Sequence, residues 1–181
     1  MSKKVMVIST SLRKGKSDML ADAFIRGAEE AGHNIKKISL LDKDLRFCRG
    51  CLSCQNTKTG HCFMEDDADI IVNQMKDAEV IVFATPIYFY EMSGQMKTLL
   101  DRTNPLFPVD CAFEDIYLLT AAAESEASAM DGAVQGLEGW IACFEKARLK
   151  GVIYGTGSED AEPESEFPMI LTSAYEMGKM V

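Results

Sequence analysis

Short apolar runs alternate along the chain with longer stretches in which apolar residues recur every three or four positions. The apolar runs fall at 4–9, 34–40, 79–84, 115–121 and 150–154. Runs such as Val80-Ile81-Val82-Phe83-Ala84, rich in β-branched residues, read as strands covered on both faces. The helical stretches fall at about 17–31, 66–77, 93–103, 128–147 and 165–179. Five strand–helix units in this order predict a doubly wound α/β fold, a parallel sheet with helices on both faces. No repeat, linker or low-complexity segment interrupts the series, so a single domain is expected over residues 1–181. Two stretches fit neither period. One is 42–65, which is rich in cysteine; the other is 155–166, expected as a solvated acidic loop.

Composition narrows the classes of function. With 47% hydrophobic and 26% charged residues the chain is ordinary globular material. Its formal charge of -9 argues against non-specific nucleic-acid binding and against docking on anionic membranes. No apolar run approaches the roughly 20 residues that span a bilayer. The apolar run near the N-terminus is too short for a secretory leader, so a cytoplasmic protein is expected. In that compartment the six cysteines are not expected to form structural disulfides.

Two loops carry the candidate chemistry. The first follows the first strand: Thr10-Ser11-Leu12-Arg13-Lys14-Gly15-Lys16-Ser17-Asp18. A strand, a polar loop and a helix N-terminus form a phosphate-binding arrangement, because free amides and the helix dipole favour an anion. Ser11 and Ser17 add hydroxyls, and Arg13 and Lys16 add charge. A capped, solvated turn, with Ser17 or Asp18 as N-cap, is the plainer reading. Gly15-Lys16-Ser17 also fits half of a Walker A loop, but Thr10 stands where its first glycine belongs, and no strand ends in a metal-binding aspartate. The second loop is Pro86-Ile87-Tyr88-Phe89-Tyr90, followed by a helix with Ser93 as its expected N-cap. Aromatics at the carboxyl end of a buried parallel strand lie where open α/β sheets bind flat ligands. Alternatively they fold back over the core.

Cys48-x2-Cys51-x2-Cys54-x7-Cys62 is the third feature. Four thiols at this spacing suit a [4Fe–4S] cluster. Zinc and free thiols are the competing readings. Cys111 and Cys143 stand apart and are expected to pack as small apolar groups. Glu65, Asp66, Asp67 and Asp69 are expected in the first turn of a helix, complementing its dipole. No catalytic triad or hydrolytic dyad is present.

The two loops, the cysteine run and the segment from Pro86 through Asp101-Arg102-Thr103 together resemble the flavodoxin-like NADPH-dependent FMN reductase family. The likeness is nearest to its iron–sulfur flavoprotein branch, and extends to Gly151-Val152-Ile153-Tyr154-Gly155 and Ala174 to Lys179. The resemblance implies a flavodoxin-like three-layer sandwich, with a five-stranded parallel sheet in the order 2-1-3-4-5. It implies FMN as cofactor, with Ser9, Ser11, Arg13, Lys16 and Ser17 around its phosphate. Pro86, Ile87, Tyr88, Phe89, Tyr90 and Ser93 would lie along its ring, and Thr120, Ala121 and Ala122 would close the other side. Cys48, Cys51, Cys54 and Cys62 would hold the cluster if one is bound. The implied activity is NAD(P)H oxidation, with electrons passing through the flavin to a quinone, small-molecule or protein acceptor. No side chain is assigned as acid or base. The alternative is an electron carrier without direct NAD(P)H activity. A homodimer or homotetramer is implied. Thr10 departs from the family's usual glycine, and the loop is one residue shorter than usual.

Overall fold

The structure is a computed structural model that describes residues 1–11, 13, 15–157 and 167–181. Five parallel strands make the sheet: β1 (Lys4–Ser9), β2 (Asn34–Ser39), β3 (Val80–Tyr88), β5 (Asp115–Ala121) and β6 (Arg148–Gly155). A two-residue strand, β4 (Glu91–Met92), pairs antiparallel with the end of β3. The order is β2-β1-β3-β5-β6, so β1 and β3 are neighbours at the point where the winding reverses. This is the flavodoxin-like order expected, with β4 as an addition to the five strands. β4 escaped the sequence reading because two residues show no period, and because β3 runs four residues past 84 into the expected loop.

Helices cover both faces. The main ones are α1 (Lys16–Glu30), α3 (Asp67–Asp77), α4 (Gly94–Asp101), α5 (Asp131–Ile141) and α6 (Phe167–Lys179), with a short α2 (Ser53–Thr57) inside the cysteine-rich segment. Strict alternation along the strands splits the core in two. Val5, Val7, Val80 and Val82 face α1 and α6, packing on Leu20, Phe24 and Ala174. Met6, Ile8, Ile81 and Phe83 face α3, α4 and α5, packing on Met75, Leu99 and Leu137. The helix expected over 128–147 ends at Ile141, leaving Cys143 exposed rather than packed, whereas Cys111 is buried. Most of the acidic 155–166 stretch, from 158 onward, lies outside the described residues.

α1 and α6 approach closely because glycine stands at the crossing. A Cβ on Gly27 would sit 2.0 Å from the Tyr175 carbonyl oxygen, and one on Gly178 would sit 2.1 Å from that of Phe24. Backbone cannot yield as a side chain can, so the helices would have to part. Gly178→Ala is expected to destabilise the fold by about 1–3 kcal/mol, the usual cost of overpacking. Urea unfolding should show a lower midpoint at unchanged slope; an unchanged midpoint would refute the tight crossing.

Candidate functional site

The carboxyl ends of β1, β3 and β5 bring three loops to one edge. They frame a cavity of about 230 Å³ lined by Ser11, Arg13, Gly15, Lys16, Ser17, Pro86, Ile87, Tyr88, Ala121 and Ala123. One end is polar. Gly15 is the N-cap of α1 and supplies no side-chain cap, contrary to the expectation of Ser17 or Asp18. Gly15 N donates to Ser11 Oγ at 2.7 Å, which draws the loop over the helix start. The amides of Lys16 and Ser17 have no partner among the described residues. The end of α1 therefore presents unsatisfied N–H groups and a positive dipole to the cavity. The Lys16 ammonium lies 4.0 Å from the centroid of the Phe167 ring, which fixes that cation beside the same helix end. The opposite end of the cavity is formed by Pro86, Ile87 and Tyr88 facing Ala121 and Ala123.

Several expected residues stand elsewhere. Ser9 is buried, and its hydroxyl donates to Asp18 Oδ1 at 2.7 Å beneath the loop. Thr120 is buried and donates to the Ile153 carbonyl at 2.8 Å. Ala122 is buried outside the lining. Phe89 and Tyr90 are 100% and 63% exposed at the tip of the β3–β4 hairpin, away from the cavity. Both have positive φ, 52° and 65°, between the paired residues Tyr88 and Glu91. That is the signature of a type I′ turn, which seldom carries aromatics. The hairpin lies against α5, where a Cβ on Gly132 would meet the Tyr90 carbonyl oxygen at 2.5 Å.

Ser93 is the N-cap of α4, as expected, accepting from Met96 N. It is also the middle of a buried hydroxyl chain. Ser93 Oγ donates to Thr10 Oγ1 at 2.8 Å, and Thr85 Oγ1 lies 3.2 Å from Ser93 Oγ. Ser93 N donates to Thr85 Oγ1 at 3.0 Å, and Thr10 N donates to the Ala84 carbonyl at 3.0 Å. Thr10 thus ties the first loop to the second. All three side chains are buried, so the bonds are not diluted by water.

The four clustered cysteines share a second cavity, of about 60 Å³, with Met64, Arg102, Asn104 and Pro105 also on its wall. Among the described residues no three His, Cys, Asp or Glu side chains converge on a single point that could hold a metal ion. Hydrogen bonds from the Ser53 amide and hydroxyl hold Cys51 below the ordinary thiol range. Burial, with the charge of Cys62 adding to it, pushes Cys54 up. The segment is closed by a pair that sequence reasoning missed. Arg102, just past α4, donates to Asp66 Oδ2 at 2.5 Å and Oδ1 at 2.9 Å, and to the Arg46 carbonyl at 2.7 Å. The two side chains are 1% and 0% exposed. Asp66 also accepts from Arg46 N and caps α3 through Ala68 N, so it does more than complement a dipole. Nothing local in Asp101-Arg102-Thr103 marks a buried cation; only an acid 36 residues away could have suggested it.

Burial alone would raise the Asp66 pKa, but Arg102 and the Arg46 amide outweigh it and hold the carboxyl below the ordinary range. A carboxyl depressed on folding stabilises the protein above its unfolded pKa of about 3.9 and loses that contribution as pH falls through the lower folded value. Asp66→Asn is expected to cost about 3–5 kcal/mol at neutral pH, because it strands a buried guanidinium. The gap from wild type should narrow as pH falls below about 4. Urea unfolding at the two pH values checks this, and a gap that stays constant into acid would refute it.

The profile of the NADPH-dependent FMN reductase family matches residues 3–152. An iron–sulfur flavoprotein of Methanocaldococcus jannaschii is 39% identical over 104 residues, which cover 57% of this chain and 53% of that protein. An iron–sulfur flavoprotein of Methanosarcina thermophila is 24% identical over 165 residues, 87% of this chain and 85% of that protein. The first curated relatives are thus matched over about half their own length. Among solved structures, the NAD(P)H:quinone oxidoreductase of Methanothermobacter marburgensis superposes with a TM-score of 0.73 at 16% identity, covering 99% of this chain and 96% of that one. With a profile matched from the first strand into the last, this chain belongs to the NADPH-dependent FMN reductase family.

Proposed function

We propose that the chain is an FMN-dependent NAD(P)H oxidoreductase, folded as one domain over 1–181, that delivers electrons to a quinone, small-molecule or protein acceptor. The observation that carries this reading is the cavity at the β1–β3 switch point. It joins an uncapped helix end with hydroxyls, an arginine and a lysine to a wall of uncharged residues, Pro86, Ile87, Tyr88, Ala121 and Ala123. Those two ends fit a ligand with a phosphate at one extreme and a conjugated ring at the other.

In this reading Ser11, Arg13, Ser17 and the free amides of α1 hold the phosphate, with Lys16 adding positive field. Pro86, Ile87 and Tyr88 line the ring on one side, and Ala121 and Ala123 on the other. Thr10, Ser93 and Thr85 keep the two loops in register, so the site is formed before the ligand arrives. Bound FMN supplies the electron chemistry; the protein supplies binding, orientation and electrostatics. A nicotinamide nucleotide reaches the ring from the open side of the cavity. The exposed Phe89 and Tyr90 support a homodimer or homotetramer in which a second copy covers them. Six free cysteines fit a reducing cytoplasm, and no helix of the described residues is long and apolar enough to cross a membrane.

A second reading, an iron–sulfur flavoprotein acting as electron carrier, is favoured by the four thiols around one cavity. A zinc site needs all four sulfurs about 2.3 Å from one point. Thiols standing apart on a shared wall suit a [4Fe–4S] cluster better. Cys48, Cys51, Cys54 and Cys62 would hold it, and the cluster would supply one-electron transfer.

Protein purified without oxygen should be yellow and should bleach on NADPH addition. Arg13→Ala should weaken FMN roughly 10- to 100-fold, the worth of one charge-assisted hydrogen bond, while leaving riboflavin binding unchanged. Fluorescence titration with both flavins reads this difference. A colourless protein that refuses added FMN would overturn the proposal; flavin that NADPH fails to bleach would select the carrier reading.

A further inference from the structure

The wall of the cysteine cavity is built from a different part of the chain than the cysteines themselves. Arg102 and Asn104 come from the corner that follows α4, in the other half of the fold. Asn104 Nδ2 lies 3.8 Å from Cys48 Sγ and donates to the Asp101 carbonyl at 2.8 Å. Asn104 Oδ1 accepts from Gln55 Nε2 at 2.9 Å, which fixes the amide so that its N–H side faces the sulfur. Gly50 N adds a second donor to Cys48 Sγ at 3.5 Å. Arg102 has five N–H groups, of which Asp66 and the Arg46 carbonyl take three. Cys62 stands on the wall of the same cavity as this guanidinium. The ion pair is also oriented, because Arg102 lines the cavity while Asp66 stands behind it.

An iron–sulfur cluster gains one negative charge when it is reduced. N–H donors on its ligand sulfurs and a buried cation at its wall stabilise that extra charge and raise its potential. We infer that Asn104 and Arg102 are positioning residues of the four-cysteine site, set to donate toward Cys48 and Cys62 and so to raise the reduction potential of a cluster held there. The inference rests on the cluster reading above and adds to it the residues that tune the site. Neither residue lines the flavin cavity.

The experiment uses the full chain purified without oxygen and reconstituted with FMN, iron and sulfide. Iron and sulfide analysis of the wild type tests the cluster reading by itself. Dithionite titration followed by electron paramagnetic resonance then gives the cluster midpoint in wild type, Asn104→Ala and Arg102→Lys. Asn104→Ala removes the donor to Cys48 without adding a charge at the cavity wall. Arg102→Lys keeps the charge and removes the planar fork. Both variants should retain full iron and sulfide, and both cluster midpoints should move to more negative potential while the flavin midpoint stays in place. Unchanged cluster midpoints in iron-replete variants would overturn the inference and leave the cluster reading standing. Variants that lose the cluster but keep FMN would make the two residues structural supports and also overturn it. A wild type that takes up no iron or sulfide would remove both the reading and the inference.

Discussion

The Arg102–Asp66 pair takes two full charges out of water and sets them 2.5 Å apart, with both side chains essentially inaccessible. The desolvation cost is large, and only bidentate geometry with further hydrogen bonds offsets it. Here the further bonds reach the Arg46 carbonyl and, through Asp66, the Arg46 amide and the first turn of α3. The stretch between Arg46 and Asp66 contains all four clustered cysteines and only one short helix. It has little apolar surface with which to fix itself to the sheet. Its two ends are pinned by one guanidinium, and α3 starts where that pinning places it.

That guanidinium stands at the end of a helix whose beginning serves the other cavity. α4 has eight residues, a length of roughly 12 Å at about 1.5 Å per residue. Ser93 at its start is bonded to Thr10 and Thr85, and Arg102 at its end is bonded to the cysteine segment. Met96, Leu99 and Leu100 hold the helix against the sheet between these ends. A short helix anchored at both ends and packed along one face behaves as a rigid strut, so it sets the spacing of the two cavities.

The layered fold was legible because its signals are local and repeated. Five β-branched runs and five helical periods specify strand and helix, and short right-handed connections leave few ways to arrange them. The polar loop at the start of α1 was legible as a cavity wall for the same reason, since strand, loop and helix end are consecutive in the chain. The aromatic loop was legible only in part. Pro86, Ile87 and Tyr88 line the cavity, while Phe89 and Tyr90 turn away, because two positive φ angles reverse the chain between them and β4. No propensity favours aromatics in that conformation, so the hairpin had no sequence signal. Ser9 and Thr120 point to a related difficulty. A hydroxyl at a strand end serves a ligand or the strand's own neighbours, and Asp18 and the Ile153 carbonyl decide which. The Arg102–Asp66 pair joins residues 36 positions apart, and no periodicity in the chain encodes it.

The hairpin tip has a bearing on laboratory evolution. Each non-glycine residue in the left-handed region costs roughly 1–2 kcal/mol, and Phe89 and Tyr90 occupy it side by side with their side chains exposed. An Asn-Gly pair would suit the same turn without that strain. The exchange would give a scaffold with added tolerance for destabilising substitutions, and loops around the β1–β3 cavity could then be diversified more deeply than in the natural sequence. It would also reveal what the aromatics do, since whatever function they serve would be the one property the better-folded variant lacks.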